Sequence, residues 1–333
     1  MSGHIPVLAR EATEALLPQE GGAYVDATFG GGGYSGILLD AGARVFAFDR
    51  DPSAIVNGRA RAEAAEGRLV LIEAPFDRMA EALEERGAAP VDGVVFDLGV
   101  SSMQIDQGER GFSFMKDGPL DMRMGQGERA SAFVNEADEA DIANVIYQYG
   151  EDRRSRRLAK AIVAEREASP IETTGRLAGI AEAALGNREK IHPATRMFQA
   201  IRILVNDELG QVVRGLIAAE AVLRGGGRLS VVSFHSLEDR IVKRFFAEAS
   251  GAAETRSRHM PEAEGAPATL EAVGRKAVAA GRDEVAANPR ARSAKLRVAA
   301  RTEAPLRPWT EERLRRLGAP PITFSDLQTR WAA

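Results

Sequence analysis

Val25-Asp26-Ala27-Thr28-Phe29-Gly30-Gly31-Gly32-Gly33-Tyr34-Ser35 joins a short apolar run to the helix-like Ile37-Leu38-Leu39, and a second apolar run, Val45 to Phe48, ends in Asp49. Glycines let a backbone approach a ligand closely, and a helix N-terminus offers unpaired N–H groups to an anion. An acid closing the second strand can hold ribose hydroxyls. These residues suit half of a nucleotide-type cofactor site; they also suit a plain tight turn in an α/β domain. Two phosphate-gripping patterns do not fit. A G-x-G-x-x-G fingerprint starting at Gly30 meets Ser35 at its third glycine, and the Lys and Ser/Thr of a P-loop are missing. Further along, Val94-Val95-Phe96 runs into Asp97-Leu98-Gly99-Val100-Ser101-Ser102-Met103-Gln104. Ligands of open α/β sheets bind outside the carboxyl ends of strands, so Asp97 and Gln104 should face the same crevice. Asp97 would also serve as a simple turn cap. A third polar turn, Ser233-Phe234-His235-Ser236 with Glu238, follows another apolar run.

The elements that must position these groups follow from the apolar runs 23–28, 43–48, 68–73, 93–98 and 228–234, read as buried strands. Helical patterns of crossover length separate the first four, as in a parallel, doubly wound α/β sheet. About 130 residues separate Phe96 from Leu229, where a crossover needs a few tens at most. Helical periodicity fills that gap over Asp138–Tyr149, Arg153–Glu167, Leu177–Leu185 and Thr195–Leu209, with Pro170 and Pro193 as stop and start. The expected organisation is an α/β domain formed by 1–105 and 215–310, an inserted all-helical domain at 106–214, and a C-terminal tail, 311–333. Leu237–Ala249 reads as an amphipathic helix, 250–267 as a loop, and Ala294–Ala300 as a late strand paired with Leu270–Gly274.

Composition narrows the chemistry. The 333 residues include no cysteine, and His4, His192, His235 and His259 lack H-x-x-x-H spacing, so no metal site is expected. The chain lacks a signal-peptide pattern and any apolar run of membrane-spanning length, so a cytoplasmic protein without a membrane partner is expected, monomeric or homodimeric. The net charge of −4 leaves local basic patches as the route to nucleic acid. Two arise: Arg153, Arg154, Arg156, Arg157 and Lys160, and then Arg290, Arg292, Lys295, Arg297 and Arg301. Taken alone, either cluster is more often a solvated surface than a binding site.

What remains of the glycine loop, D-x-T-x-G-x-G over Asp26, Thr28, Gly30 and Gly32, resembles the first motif of S-adenosylmethionine-dependent methyltransferases, with Thr28 in place of the usual first glycine. A closer resemblance is carried by Asp97–Gln104, Glu109-Arg110-Gly111-Phe112-Ser113-Phe114 and Pro119-Leu120-Asp121-Met122-Arg123-Met124. His4–Leu8, Tyr149-Gly150-Glu151, His192–Arg196, Phe198-Gln199-Ala200, Arg202-Ile203, Val205-Asn206, Ser233–Arg240 and Asn288–Arg297 extend it from about residue 4 to 301. These blocks resemble the bacterial 16S rRNA cytosine-N4 methyltransferase family (RsmH/MraW).

The resemblance implies a Rossmann-like methyltransferase domain with an inserted helical substrate-recognition domain, and S-adenosyl-L-methionine as donor. It also implies a decoding-centre cytidine of 16S rRNA, free or in the small ribosomal subunit, as acceptor. Cofactor positions carry over to Gly32, Gly33, Tyr34, Asp49, Phe76, Asp97 and Gln104. Tyr34 departs from the family's usual His; a backbone contact survives that change and an imidazole role does not. The Asn/Asp-Pro-Pro-aromatic motif of many amino-methyltransferases is absent after the fourth strand, where Asp97–Ser102 stands instead. Asp97, or a backbone carbonyl just beyond it, is the expected proton acceptor, with Asp121 and His235 as rivals. His235, beside Ser233, could instead hold a base or a phosphate. Arg123, His192, Arg196, Gln199, Arg202 and Asn206 are the substrate-side candidates, because arginines and amides suit phosphates and unstacked base edges; ion pairs within the insertion are the competing account. An N-methyltransferase on DNA or protein, a non-catalytic donor-binding ribosome assembly factor and a nicotinamide oxidoreductase are the alternatives.

Overall fold

The computed structural model describes residues 6–100, 102–186, 191–251, 267–318 and 323–331. The chain forms two compact units, 1–99 with 209–319 and 100–208 with 320–333.

The first unit opens with α1 (Ala9–Glu14), β1 (Ala23–Asp26), α2 (Gly33–Asp40), β2 (Arg44–Asp49), α3 (Pro52–Ala64), β3 (Leu69–Glu73), α4 (Met79–Glu84) and β4 (Val91–Asp97). In the second unit follow α5 (Ser102–Asp106), α6 (Ala130–Glu136), α7 (Glu139–Gly150), α8 (Ser155–Ala168), α9 (Thr174–Leu185) and α10 (Ala194–Asn206). The chain returns through α11 (Glu208–Val222), β5 (Leu223–Ser233), α12 (Ser236–Ala249), β6 (Leu270–Ala279), α13 (Arg282–Ala287), β7 (Lys295–Arg301) and α14 (Glu311–Leu317), and α15 (Phe324–Trp331) rejoins the second unit.

Seven strands form one sheet in the order β3-β2-β1-β4-β5-β7-β6. β1 to β5 pair in parallel, whereas β7 runs antiparallel to both β5 and β6. This is a Rossmann-like, mostly parallel sheet with an antiparallel edge. Its central strands are covered on both faces, which is why they read as unbroken apolar runs: Val25, Val45, Phe48, Val94, Val95, Leu229 and Val232 are fully buried. Strand order reverses between β1 and β4, and such a switch point opens a crevice at the carboxyl ends of those strands.

Among the described residues the second unit is helical apart from an isolated bridge between Pro119 and Thr173. Ile142, Val145 and Ile146 of α7, Leu158 and Ile162 of α8, and Ile201 of α10 form its fully buried centre. The apolar spacing that marked these helices is the stripe that packs.

Several sequence expectations are corrected. The helix expected over 195–209 stops at Asn206, because Asp207 adopts a left-handed conformation (φ 46°) and a new helix starts at Glu208. The late strand pairing reaches beyond the expected 270–274: after an irregularity between Val273 and Val278 it resumes at Val278 and Ala279. The segment 311–333, expected as a tail, carries α14 and α15. Trp309 stacks on Phe245 at 4.8 Å and donates from Nε1 to Glu220 (2.8 Å), and Arg313 of α14 pairs with the buried Glu248 at 3.0 Å. Most of the loop expected at 250–267 lies outside the described residues.

Candidate functional site

The glycine loop is tied down by two buried acids. Asp26 ends β1 fully buried, and its Oδ2 accepts from Ser35 N (3.1 Å) and Ser35 Oγ (2.6 Å), while its Oδ1 accepts from Thr28 N (3.2 Å). Burial pushes the Asp26 carboxyl up to about 6, although these hydrogen bonds pull the other way. Asp49 accepts from Gly30 N (2.8 Å) with one oxygen and from Asp51 N (2.8 Å) with the other. Burial raises its carboxyl as well. The acid expected to meet a ribose therefore also shapes the loop. Each oxygen retains a lone pair for that second task.

Gly32 caps α2 in the left-handed region (φ 72°), and a Cβ there would sit 2.7 Å from the Phe29 ring. Gly33 lies against Pro6, where a Cβ would meet Cγ at 2.4 Å. The loop thus needs glycine at 32 for conformation and at 33 for close approach. Thr28, the departure from the usual glycine, has a use that sequence reading missed. Its Oγ1 accepts from Asp97 N at 2.7 Å, bridging the ends of β1 and β4.

Asp97 stands at the carboxyl end of β4, and its Oδ1 is enclosed without a hydrogen-bond partner. Its carboxyl is held well above the usual carboxylate range, first by burial and then by the charges of Asp26 and Glu238; a hydrogen bond from the Tyr34 phenol opposes them in part. Tyr34 is itself buried, and its single hydroxyl hydrogen is shared between the Asp97 carboxylate and the Val7 carbonyl. Its ring therefore contributes more than a backbone amide. Phe76 opens a short 3₁₀ turn after β3, edge-on to Phe96 at 5.3 Å. Gly215 of α11 makes room for it, since a Cβ there would lie 2.5 Å from the Phe76 ring.

His235 is placed as the N-cap of α12. Its side chain accepts from Glu238 N, and the Glu238 carboxylate accepts from Phe234 N (2.8 Å) and His235 N (3.3 Å), a reciprocal capping box. Ser233 is buried and donates to the Lys295 carbonyl at 3.4 Å, closing the sheet edge. Glu238, a buried acid acting on Asp97, was named in the polar turn but given no role from sequence, because a capping-box glutamate looks like any helix start.

The remaining predicted residues lie in the second unit, and most are engaged there. Asp121 and Arg123 form a two-pronged pair at 2.7 and 2.8 Å, and Arg129 approaches the same carboxylate at 3.3 Å. Burial would raise Asp121, but the hydrogen bonds and charge of Arg123 outweigh it and hold the carboxyl below its ordinary value. A carboxylate so stabilised is a weak base. His192 lies 2.7 Å from Glu182 and accepts from Ala194 N, while its ring lies against Phe114. Gln199 donates to the Tyr149 carbonyl, and Arg202 grips Glu208 at 2.7 and 2.8 Å. Arg196 is exposed, with a long 3.4 Å contact to the Glu151 carbonyl. Gln104 is buried on α5.

Asn206 is a pin within its unit. It accepts from Met124 N (2.8 Å) and donates to the carbonyls of Met122 (2.7 Å) and Arg202 (2.9 Å). Met122 needs that support, since it holds a positive φ of 62°. Asn206→Ala should strand two buried backbone groups and cost about 2 kcal/mol of stability, read as a lowered urea midpoint at unchanged slope.

The sequence profile of the MraW methylase family matches residues 1–302. A relative called ribosomal RNA small subunit methyltransferase H, from Rhizorhabdus wittichii, is 57% identical over 92% of this chain and 95% of its own length. Its namesake from Nitrobacter hamburgensis is 56% identical over 91% and 92%. Among solved structures, an rRNA methylase from Streptococcus thermophilus aligns over 90% of this chain and 99% of its own, with a TM-score of 0.41 and 10% identity. With this profile spanning nearly all of the α/β sheet and its insertion, the chain belongs to the MraW methylase family.

Proposed function

We propose that this chain methylates the exocyclic N4 amine of a cytidine in the decoding centre of 16S rRNA. At the coarser level it is an S-adenosylmethionine-dependent rRNA methyltransferase, as its family membership and relatives have it. The observation that carries the finer reading is the enclosed, unpartnered Oδ1 of Asp97 at the carboxyl end of β4.

The residues present fit the donor. Asp26, Asp49, Asp97 and Glu238 gather carboxyl groups around a loop without a phosphate-gripping lysine, and an S-adenosylmethionine molecule carries no phosphate but cationic sulfonium and ammonium groups, which would draw the raised carboxyls toward their ionised forms. Bound there, it supplies an electrophilic methyl group. Gly32 and Gly33 would hold its methionine end by close backbone approach, Asp49 its ribose, and Phe76 its adenine face.

The chain's own residues then act on the acceptor. A cytosine amine is a poor nucleophile because its lone pair is delocalised into the ring. Asp97 accepts a hydrogen bond from that amine, turning the lone pair out of conjugation, and takes up the proton as charge develops. Thr28 and Tyr34 fix the aspartate in place from its backbone and its carboxylate. Positioning supplies much of the remaining acceleration.

Nucleoside mass analysis of small-subunit rRNA from cells with and without the gene tests the proposal. N4-methylcytidine is expected to disappear with the gene and return when it is restored; an unchanged level would overturn the acceptor assignment.

A further inference from the structure

The parallel strands and the β6–β7 hairpin share one functional edge. Asp97 pairs with Val232, Val232 with Leu296, and Lys295 with both Ser233 and Ala279. The connection from β6 to β7 therefore lies at the same sheet edge as Asp97. It consists of α13 and a 3₁₀ turn, Pro289–Ser293.

That turn is built to present arginines outward. Asn288 caps it by accepting from Arg290 N (3.1 Å), and Pro289 starts it. A repeat of three residues sends Ala291 and Ala294 inward, both essentially inaccessible, into the cluster that holds Val7, Leu8 and Tyr34. Arg290 and Arg292 are left exposed, with Arg282 exposed on α13. Glu284 accepts from Leu8 N (2.7 Å), and Asp239 is shared by Lys295 (2.9 Å) and Arg297 (2.7 Å); Asp283 alone is exposed on α13. Arg301, the last member of the basic run in the sequence, is instead buried and bonded to the carbonyls of Thr269, Thr302 and Ala304.

We propose that Arg290 and Arg292, supported by Arg282, clamp the phosphodiester backbone of the rRNA strand that carries the reacting nucleotide. The inference rests on the rRNA reading above and adds a surface to it. Guanidinium forks match phosphate oxygens, and phosphate contacts set the register of a strand without reading its bases. Two exposed forks on a turn anchored by buried alanines, at the edge where Asp97 stands, would hold the strand while the cytosine enters the crevice.

The test compares wild type with Arg290→Gln/Arg292→Gln, measuring rRNA affinity against KCl concentration together with calorimetric donor affinity. Loss of two single-strand phosphate contacts should reduce the salt slope by about 1.4 and weaken binding roughly tenfold at low salt. Arg290→Lys/Arg292→Lys should retain most of the slope, and donor affinity should be unchanged in both variants. Arg44→Gln/Arg86→Gln removes the same charge at the opposite strand ends and should leave the slope intact. Equal slopes for wild type and Arg290→Gln/Arg292→Gln, or loss of donor binding in step with rRNA binding, would overturn the clamp. Failure of the wild type itself to bind or methylate rRNA would instead overturn the reading on which the clamp rests.

Discussion

Asp97→Ala is expected to lower kcat by roughly a hundred- to ten-thousandfold, the range for loss of a positioned proton acceptor. Burial and two neighbouring acids make the residue sensitive to pH. Burial, Asp26 and Glu238 all favour the neutral form, so Asp97 becomes a competent base only as pH rises above the ordinary carboxylate range. In wild type, the free-protein profile of kcat/KM should therefore carry an ascending limb at that raised position. Under saturating donor the limb in kcat should move to lower pH, because a cation in the pocket favours the carboxylate. Asp97→Asn keeps the size and loses the proton-accepting group, so it should erase the limb while donor affinity changes far less than turnover. Tyr34→Phe removes a hydrogen bond that opposes the rise, and should push the limb further up. Rate and pH profiles of single-turnover methyl transfer check all three. A wild-type limb that survives in Asp97→Asn would move the acceptor role away from this residue.

Gly32→Ala should damage donor binding more than any other single methyl added to the loop. A left-handed alanine costs about 1–2 kcal/mol, and overlap with the Phe29 ring adds about 1–3 kcal/mol if the ring cannot withdraw. Expressed as donor affinity, the combined cost of about 2–5 kcal/mol is a loss of roughly thirty- to five-thousandfold. Gly31 is the internal control, because a Cβ there would have no neighbour within 4 Å. Gly31→Ala should bind the donor nearly as wild type does. Calorimetric titration of both variants decides the matter, and equal affinities would show that the loop's shape is not what holds the donor.

The parts of this site that were legible in the sequence are those written in consecutive residues. Apolar runs ending in Asp26, Asp49 and Asp97 announce strands whose carboxyl ends carry acids, and four glycines between the first two announce a close backbone approach. The structure puts all three acids in the first unit, with the Gly30 amide on Asp49 and the Thr28 hydroxyl on the backbone of Asp97. The polar residues of the insertion were harder to read. Arg123, Arg202 and Asn206 have the chemistry to meet RNA, yet Asp121, Glu208 and the Met122–Met124 backbone engage them within their own unit. A polar side chain's type says what it can bond; whether a nearer partner has taken it depends on how the chain packs.

The sequence by itself therefore determined the strand-and-helix order, the glycine loop with its acids, and the family blocks that run along most of the chain, because each is a local pattern of period, spacing or residue type. Tertiary structure alone decided how those acids differ. Asp97 and Asp121 are the same residue type, but burial among like charges raises one carboxyl while Arg123 lowers the other. It also decided that Arg290 and Arg292 face outward at the edge that holds Asp97 while Arg301 turns inward, since pairing across three strands, with no trace in local sequence, sets that arrangement.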